Sequence, residues 1–380
     1  MERNDPRYQA YVEILKEELI PAMGCTEPIA LAYAAAKARE VLGVLPDSVQ
    51  LQVSGSIIKN VKSVIVPNTG HLKGMEAAVA AGIIAGSAEK ELEVISEVSE
   101  EKKSAIRDYL QTVPITIEHT EQGHVFDIVV TERCGQDYAR VRIADYHTNI
   151  CRIEKNGTVL YEVPLLDETV QADARADRSL LNMQDIWDFA ETADLRDVAD
   201  LLERQIRYNN AIAEEGLLGD YGANIGRVLL TTYGNDVSNR AKAKAAAGSD
   251  ARMNGCELPV IINSGSGNQG ITCSVPLIEY AKELHSGKEK LYRALIISNL
   301  VAIHEKTGIG TLSAYCGAVS AGAGAGAGIV YLCGDGYQAA IHTVVNALAI
   351  VSGIVCDGAK ASCAAKIASS VDAALLGYNM

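Results

Sequence analysis

Aromatic side chains are scarce in this sequence: they make up 5% of 380 residues, with one Trp, two Phe and sixteen Tyr. That excludes a core built mainly on large rings; 33 glycines and several Ala-rich segments point to close backbone approach instead. Basic charge is also short. With 34 Lys and Arg against 48 Asp and Glu, the net charge is -14 and the pI about 5.0, which excludes nucleic acid and anionic bilayers as default partners. The opening residues 1–15 lack the basic stretch and apolar run of a secretory leader, so a cytoplasmic protein is expected. Nine cysteines, an odd number, contain no CxxC pair and favour free thiols or metal ligands over a disulfide framework. Two low-charge stretches, 314–333 and 339–356, approach the length of membrane spans. They hold many Gly, Ser and Ala, with His342 and Asn346 in the second, and read as buried helices.

What is present is ordinary globular usage, 48% hydrophobic and 22% charged, enough for one or two domains. Helical spacing covers 6–20, ended by Pro21, and 27–42, with Thr26 as the expected N-cap and Pro28 in the first turn. Short β-branched segments follow at 49–53, 57–66, 115–118, 125–131, 139–143, 149–154 and 159–163, with turns such as 121–123 and 155–157. Helices are expected between them at 73–88 and 90–111. Beyond Leu166 strand signals nearly vanish and nine helical segments follow. The expected fold is therefore an α+β domain, 1–166, packed on an all-α helical bundle, 167–380. The Ala-Gly alternation from Ala321 to Gly328 reads as a tightly crossed helix.

Cys316, Cys356 and Cys363 are 40 and 7 positions apart. On one continuous helix a separation of seven residues would span about 10.5 Å, too far for a shared site, so the chain must bend between the last two. Asp357-Gly358 is a turn signal there, and Ser362 can cap the next helix. A loop between helix ends could then bring both sulfurs to one metal, with Cys316 from a neighbouring helix; buried core cysteines and a zinc site are the competing readings. Cys25, in Met23-Gly24-Cys25-Thr26-Glu27-Pro28, precedes a helix whose N-terminus would lower a thiol pKa.

Two glycine-bearing loops stand out. Ser264, Gly265, Ser266, Asn268 and Gln269 lie between an apolar segment and a helix, where backbone amides and hydroxyls suit a small anion such as a carboxylate. No P-loop lysine accompanies them. Asn68, Thr69, His71 and Lys73 form a second polar loop, with His71 and Lys73 available for proton transfer or anion binding.

MGCTEP, PNTGHLKG, NSGSGNQG, AYCGA and CDGAKASC, in that order over nearly the whole chain, resemble the L-cysteine desulfidase family of the UPF0597 type, related to the iron-sulfur L-serine dehydratases. The resemblance implies a 4Fe-4S cluster held by Cys316, Cys356 and Cys363, leaving one iron without a protein thiolate. It implies β-elimination from L-cysteine to hydrogen sulfide, pyruvate and ammonia, with an L-serine dehydratase or a non-catalytic iron-sulfur sensor as the alternatives. Cys25 stands where those dehydratases carry a histidine, and is either the base or a further ligand. His71 resembles a histidine of theirs and is the second base. Asn68, Thr69, Lys73 and the 264–269 loop would bind the amino acid, with a homodimer as a possible assembly.

Overall fold

The computed structural model describes residues 1–120, 124–165 and 175–380. The expected turn at 121–123 and the domain boundary at Leu166 lie outside them. The first half runs α1 (Pro6–Glu18), β1 (Pro21–Met23), α2 (Thr26–Leu42), β2 (Ser48–Val53), α3 (Gly55–Val61), α4 (Gly74–Ala85), α5 (Glu100–Thr112), β3 (Ile115–His119), β4 (Asp127–Cys134), β5 (Asp137–Ala144), β6 (Ile150–Lys155) and β7 (Thr158–Glu162). The second runs α6 (Met183–Thr192), α7 (Ala199–Leu218), α8 (Ile225–Tyr233), α9 (Val237–Met253), β8 (Pro259–Ile261), α10 (Gly267–Glu283), α11 (Lys288–Ile309), α12 (Gly317–Cys333), α13 (Tyr337–Val351) and α14 (Cys363–Asn379). An α+β half followed by a helical half is the expected architecture.

Six strands form one sheet in the order β3-β2-β4-β5-β6-β7, with β2 and β3 parallel and the other pairs antiparallel. Strict alternation in β2 buries Val49, Leu51 and Val53 and leaves Gln50 and Gln52 on the other face. The β6–β7 hairpin turns at Asn156-Gly157, both with positive φ, which suits a tight turn matched to strand twist. Helix α2 lies between this sheet and α4. The two helices touch so closely that a Cβ on Gly82 would stand 2.1 Å from the carbonyl oxygen of Ala32.

Two expectations change in this half. Residues 57–66 do not form a strand: α3 covers Gly55–Val61 and only Ile65 makes an isolated bridge, to Lys73. Ile57 and Val61, four apart, are both buried on one helical face, and that burial overrides their β preference. Residues 90–111 do not form one helix either. A 3-10 segment covers Ala88–Glu93, Glu91 has positive φ, and α5 begins afresh after Ser99, whose side chain accepts from the Lys102 amide.

The helical half is built around α12, against which α10, α11, α13 and α14 pack. Its two-residue glycine period has a helical meaning: positions four apart share a face, while positions two apart point about 200° away. A Cβ on Gly322 would meet Ser370 O at 2.7 Å and one on Gly326 would meet Thr343 Cγ2 at 2.8 Å, toward α14 and α13. A Cβ on Gly324 would meet Ser298 O at 2.4 Å and one on Gly328 Ala294 O at 2.8 Å, both on α11. The run is thus two small-residue stripes on opposite faces of one buried helix. Among the described residues no helix is long and apolar enough to cross a membrane.

A two-stranded antiparallel ribbon joins the halves: Pro21, Ala22 and Met23 of β1 pair with Ile261, Val260 and Pro259 of β8. It brings the Cys25 segment and the 264–269 loop to the same region.

Candidate active site

Cys25 occupies the N-cap position of α2 but caps nothing with its side chain; the expected cap, Thr26, is the first helical residue. Gly24 before it has φ +54, and a Cβ there would stand 2.8 Å from Pro67 Cγ. The Cys25 side chain is 2% exposed, and its Sγ donates to Glu27 Oε2 at 3.0 Å. Asn60 Nδ2 of α3 donates to Glu27 Oε1 at 2.8 Å, and Thr26 Oγ1 donates to Gly265 O at 2.8 Å. The helix in place of the expected strand is what carries Asn60 to this carboxylate.

The expected lowering of the Cys25 pKa does not hold. Burial, reinforced by the Glu27 charge, pushes the thiol well above its ordinary value and outweighs the helix N-terminus. Burial opposes the charge of Glu27, but His147, the Cys25 thiol and the Asn60 amide more than offset it and hold the carboxyl below its usual range. The resting pair is a thiol donating to a carboxylate.

These residues line a cavity of about 120 Å³ between the halves, small beside pockets for drug-sized ligands. Its wall includes Cys25, Glu27, Asn60 and His147 from the first half, and Arg252, Ser264, Gly265, Ser266, Asn268, Gln269, Lys306, Cys316, Cys356 and Cys363 from the second. His147 sits in the β5–β6 connection with its ring edge-to-face on Phe126, centroids 4.7 Å apart. It is 7% exposed, and its Nε2 has no hydrogen-bond partner among the described residues; burial lowers its pKa against the opposing pull of the Glu27 charge. A Cβ on Gly265, which has φ +75, would approach His147 Cε1 to 2.9 Å, so a glycine is needed where loop and ring meet. Asn60 Oδ1, Arg252 Nε, Asn268 Oδ1 and Gln269 Oε1 are likewise buried without partners among the described residues. Five unpartnered polar atoms around one small space mark a place for a polar ligand.

The three distant cysteines meet along the same wall. Cys316 precedes α12, and its amide donates to Ile354 O while the Cys356 amide donates to Ala314 O at 2.7 Å, a two-rung contact around the Tyr315–Val355 bridge. The chain turns between Cys356 and Cys363 as the spacing requires. Gly358 has φ +98 and so little room that a Cβ would stand 2.3 Å from Lys59 O. Asp357 holds Lys360 and Lys366 across the turn. Ser362 does not cap α14 with its side chain. Burial first, with the neighbouring Cys356 adding to it, raises the thiol pKa of Cys316 and Cys363. All nine cysteines are free, and among the described residues no three His, Cys, Asp or Glu side chains are drawn together tightly enough to grip a single ion.

The second polar loop lies elsewhere. Asn68 Nδ2 donates to Ile95 O at 2.8 Å, and Thr69 Oγ1 donates to Val66 O at 2.7 Å while accepting from the Leu72 amide. Asn68 ties the loop to the 95–96 segment and Thr69 closes the loop on itself. His71 and Lys73 are exposed, and none of the four lines the cavity. In their place stand Glu27, Asn60, His147, Arg252 and Lys306. Glu27 was already visible inside MGCTEP; the other four carry no local motif.

The family model for the serine dehydratase alpha chain matches residues 89–380. A UPF0597 protein of Desulfitobacterium hafniense is 61% identical over 380 residues, covering 100% of this chain and 88% of that protein. A UPF0597 protein of Lachnoclostridium phytofermentans is 54% identical over 369 residues, 97% of this chain and 88% of that one. Another from Treponema denticola is 47% identical over 385 aligned residues, 100% of this chain and 89% of that one. On this match, and with a cavity assembled from both halves, the chain belongs to the serine dehydratase alpha chain family.

Proposed function

We propose that this chain is an iron-sulfur lyase that degrades L-cysteine by β-elimination, giving hydrogen sulfide, pyruvate and ammonia. The observation that carries the reading is the meeting of Cys316, Cys356 and Cys363 with Cys25–Glu27 and the 264–269 loop around one small cavity. The donor set fits a 4Fe-4S cluster in its chemistry: three free thiols, Cys316, Cys356 and Cys363, lie on one cavity wall. When bound, such a cluster supplies a Lewis acid for the leaving group at Cβ.

The chain's own residues supply binding and proton transfer. Ser264, Gly265, Ser266, Asn268 and Gln269 would hold the amino acid at the start of α10. Cys25 would act as the base for the Cα proton by passing its own proton along the existing hydrogen bond to Glu27 Oε2, against the resting preference for a thiol and a carboxylate. His147 can take or return a proton at Nε2. His71, exposed and outside the cavity, has no support as a second base, and Asn68, Thr69 and Lys73 none as substrate ligands. Closing the interface between the two proposed domains, 1–166 and 167–380, would keep water from the aminoacrylate until release. Hydrolysis then yields pyruvate and ammonia, so the sum is L-cysteine plus water to pyruvate, ammonia and hydrogen sulfide. The chemistry suits a reducing cytoplasm.

The family match favours a second reading, an L-serine dehydratase on the same residues. Turnover of L-cysteine against L-serine by anaerobically reconstituted protein separates the two; a preference for serine overturns the first. A sensor without turnover has no use for five unpartnered polar atoms, and returns only if no small amino acid yields pyruvate.

A further inference from the structure

Arg252, near the end of α9, is 3% exposed, yet its guanidinium has no ion pair and no hydrogen-bond acceptor among the described residues. The other cation on the cavity wall, Lys306, donates to Gly310 O at 2.6 Å. An unpaired buried guanidinium is costly to fold and gains strongly when an anion reaches it. Its position narrows the anion. Nε lies 2.3 Å from where a Cβ on Gly267 would be, so the guanidinium rests on the first turn of α10, beside the unpartnered Asn268 and Gln269 side chains. A planar guanidinium offers paired N–H donors that match a carboxylate, and the helix N-terminus adds free amides of the same polarity.

We infer that Arg252 is the anchor for the α-carboxylate of the substrate, so that the cavity accepts small amino acids with a free carboxylate and rejects their decarboxylated analogues. This rests on the reading of the site as an amino-acid lyase. The competing role for the charge is neutralisation of the cysteine thiolates, since Arg252 also acts on Cys363.

The test uses anaerobically reconstituted protein and two probes that share a thiol: 3-mercaptopropionate, which keeps the carboxylate, and cysteamine, which lacks it. Calorimetric binding is measured for wild type, Arg252→Gln and Arg252→Lys, with iron content and thermal unfolding alongside. Arg252→Gln is expected to weaken 3-mercaptopropionate by about 10- to 100-fold, leaving cysteamine and iron content unchanged. Arg252→Lys, which keeps the charge but loses the fork, is expected to weaken it by about 10-fold and serves if the Gln variant does not fold. Equal affinity of wild type and variant for 3-mercaptopropionate overturns the proposal, as does loss of iron from a folded variant. Carboxylate discrimination without turnover of L-cysteine or L-serine would leave the anchor standing and remove the lyase reading; turnover with no effect of Arg252 on probe binding would do the reverse.

Discussion

Cys25 Sγ donates to Glu27 Oε2 at 3.0 Å, two residues apart on either side of a helix start, with both side chains buried. The thiol that the sequence marks as reactive is therefore protonated at rest, with the Glu27 carboxylate as its acceptor. Replacing Cys25 with Ala should abolish turnover while most of the iron stays; Glu27→Gln should also lower kcat, by about 100-fold or more, because the acceptor becomes neutral. Iron loss in Cys25→Ala equal to that in the cluster-cysteine variants would instead make Cys25 a ligand.

Cys316→Ser, Cys356→Ser and Cys363→Ser should each lose iron, acid-labile sulfide and activity together, since the remaining thiols share one cavity wall. Iron and sulfide analysis of protein purified without air reads this directly. Normal iron in any one of the three would remove that cysteine from the ligand set.

His147→Ala should reduce kcat by about 100-fold or more, whereas His71→Ala should stay near wild type. The contrast follows from placement: one ring is buried with Nε2 unpartnered at the cavity, the other is exposed away from it. Steady-state kinetics on the two variants with matched iron content checks it, and the opposite ranking would restore His71 to the site.

Gly324→Ala should destabilise the fold by about 1–3 kcal/mol, because the added carbon falls 2.4 Å from Ser298 O at the α11–α12 crossing. Gly308→Ala, on α11 with open space around it, should stabilise by about 0.5–1 kcal/mol. Denaturant unfolding of the two variants separates packing from helix propensity.

Stability should also fall with rising pH through Asp250. Burial raises its carboxyl from 3.8 to about 6. Below pH 3.8 it is protonated in both states. Between there and about 6 the unfolded chain releases its proton first, which favours unfolding, and above about 6 the whole penalty is present. Asp250→Asn should therefore stabilise at pH 7.5 by about 1–2 kcal/mol, less than the full shift because the carboxylate accepts from the Ile225 amide, and hardly at all at pH 3.5. Unfolding curves at the two pH values test the sign.

Local pattern alone made much of this protein legible. Alternation in 49–53 marked a half-buried strand, helical spacing marked the second half, and the Asp357-Gly358 turn followed from the need to bend between Cys356 and Cys363. Where the reading failed, long-range burial outweighed local preference, as in the β-branched 57–61 segment that became α3. The sequence by itself determined the helical second half, the crossing at the Ala-Gly run and the identity of the motif loops, because periodicity, turn chemistry and glycine content act over a few residues. Only the tertiary structure decided that His147 and Arg252 join Cys25 while His71 does not, and that the Cys25 thiol stays protonated. Those outcomes depend on which distant groups share a low-dielectric space, and no spacing along the chain encodes that.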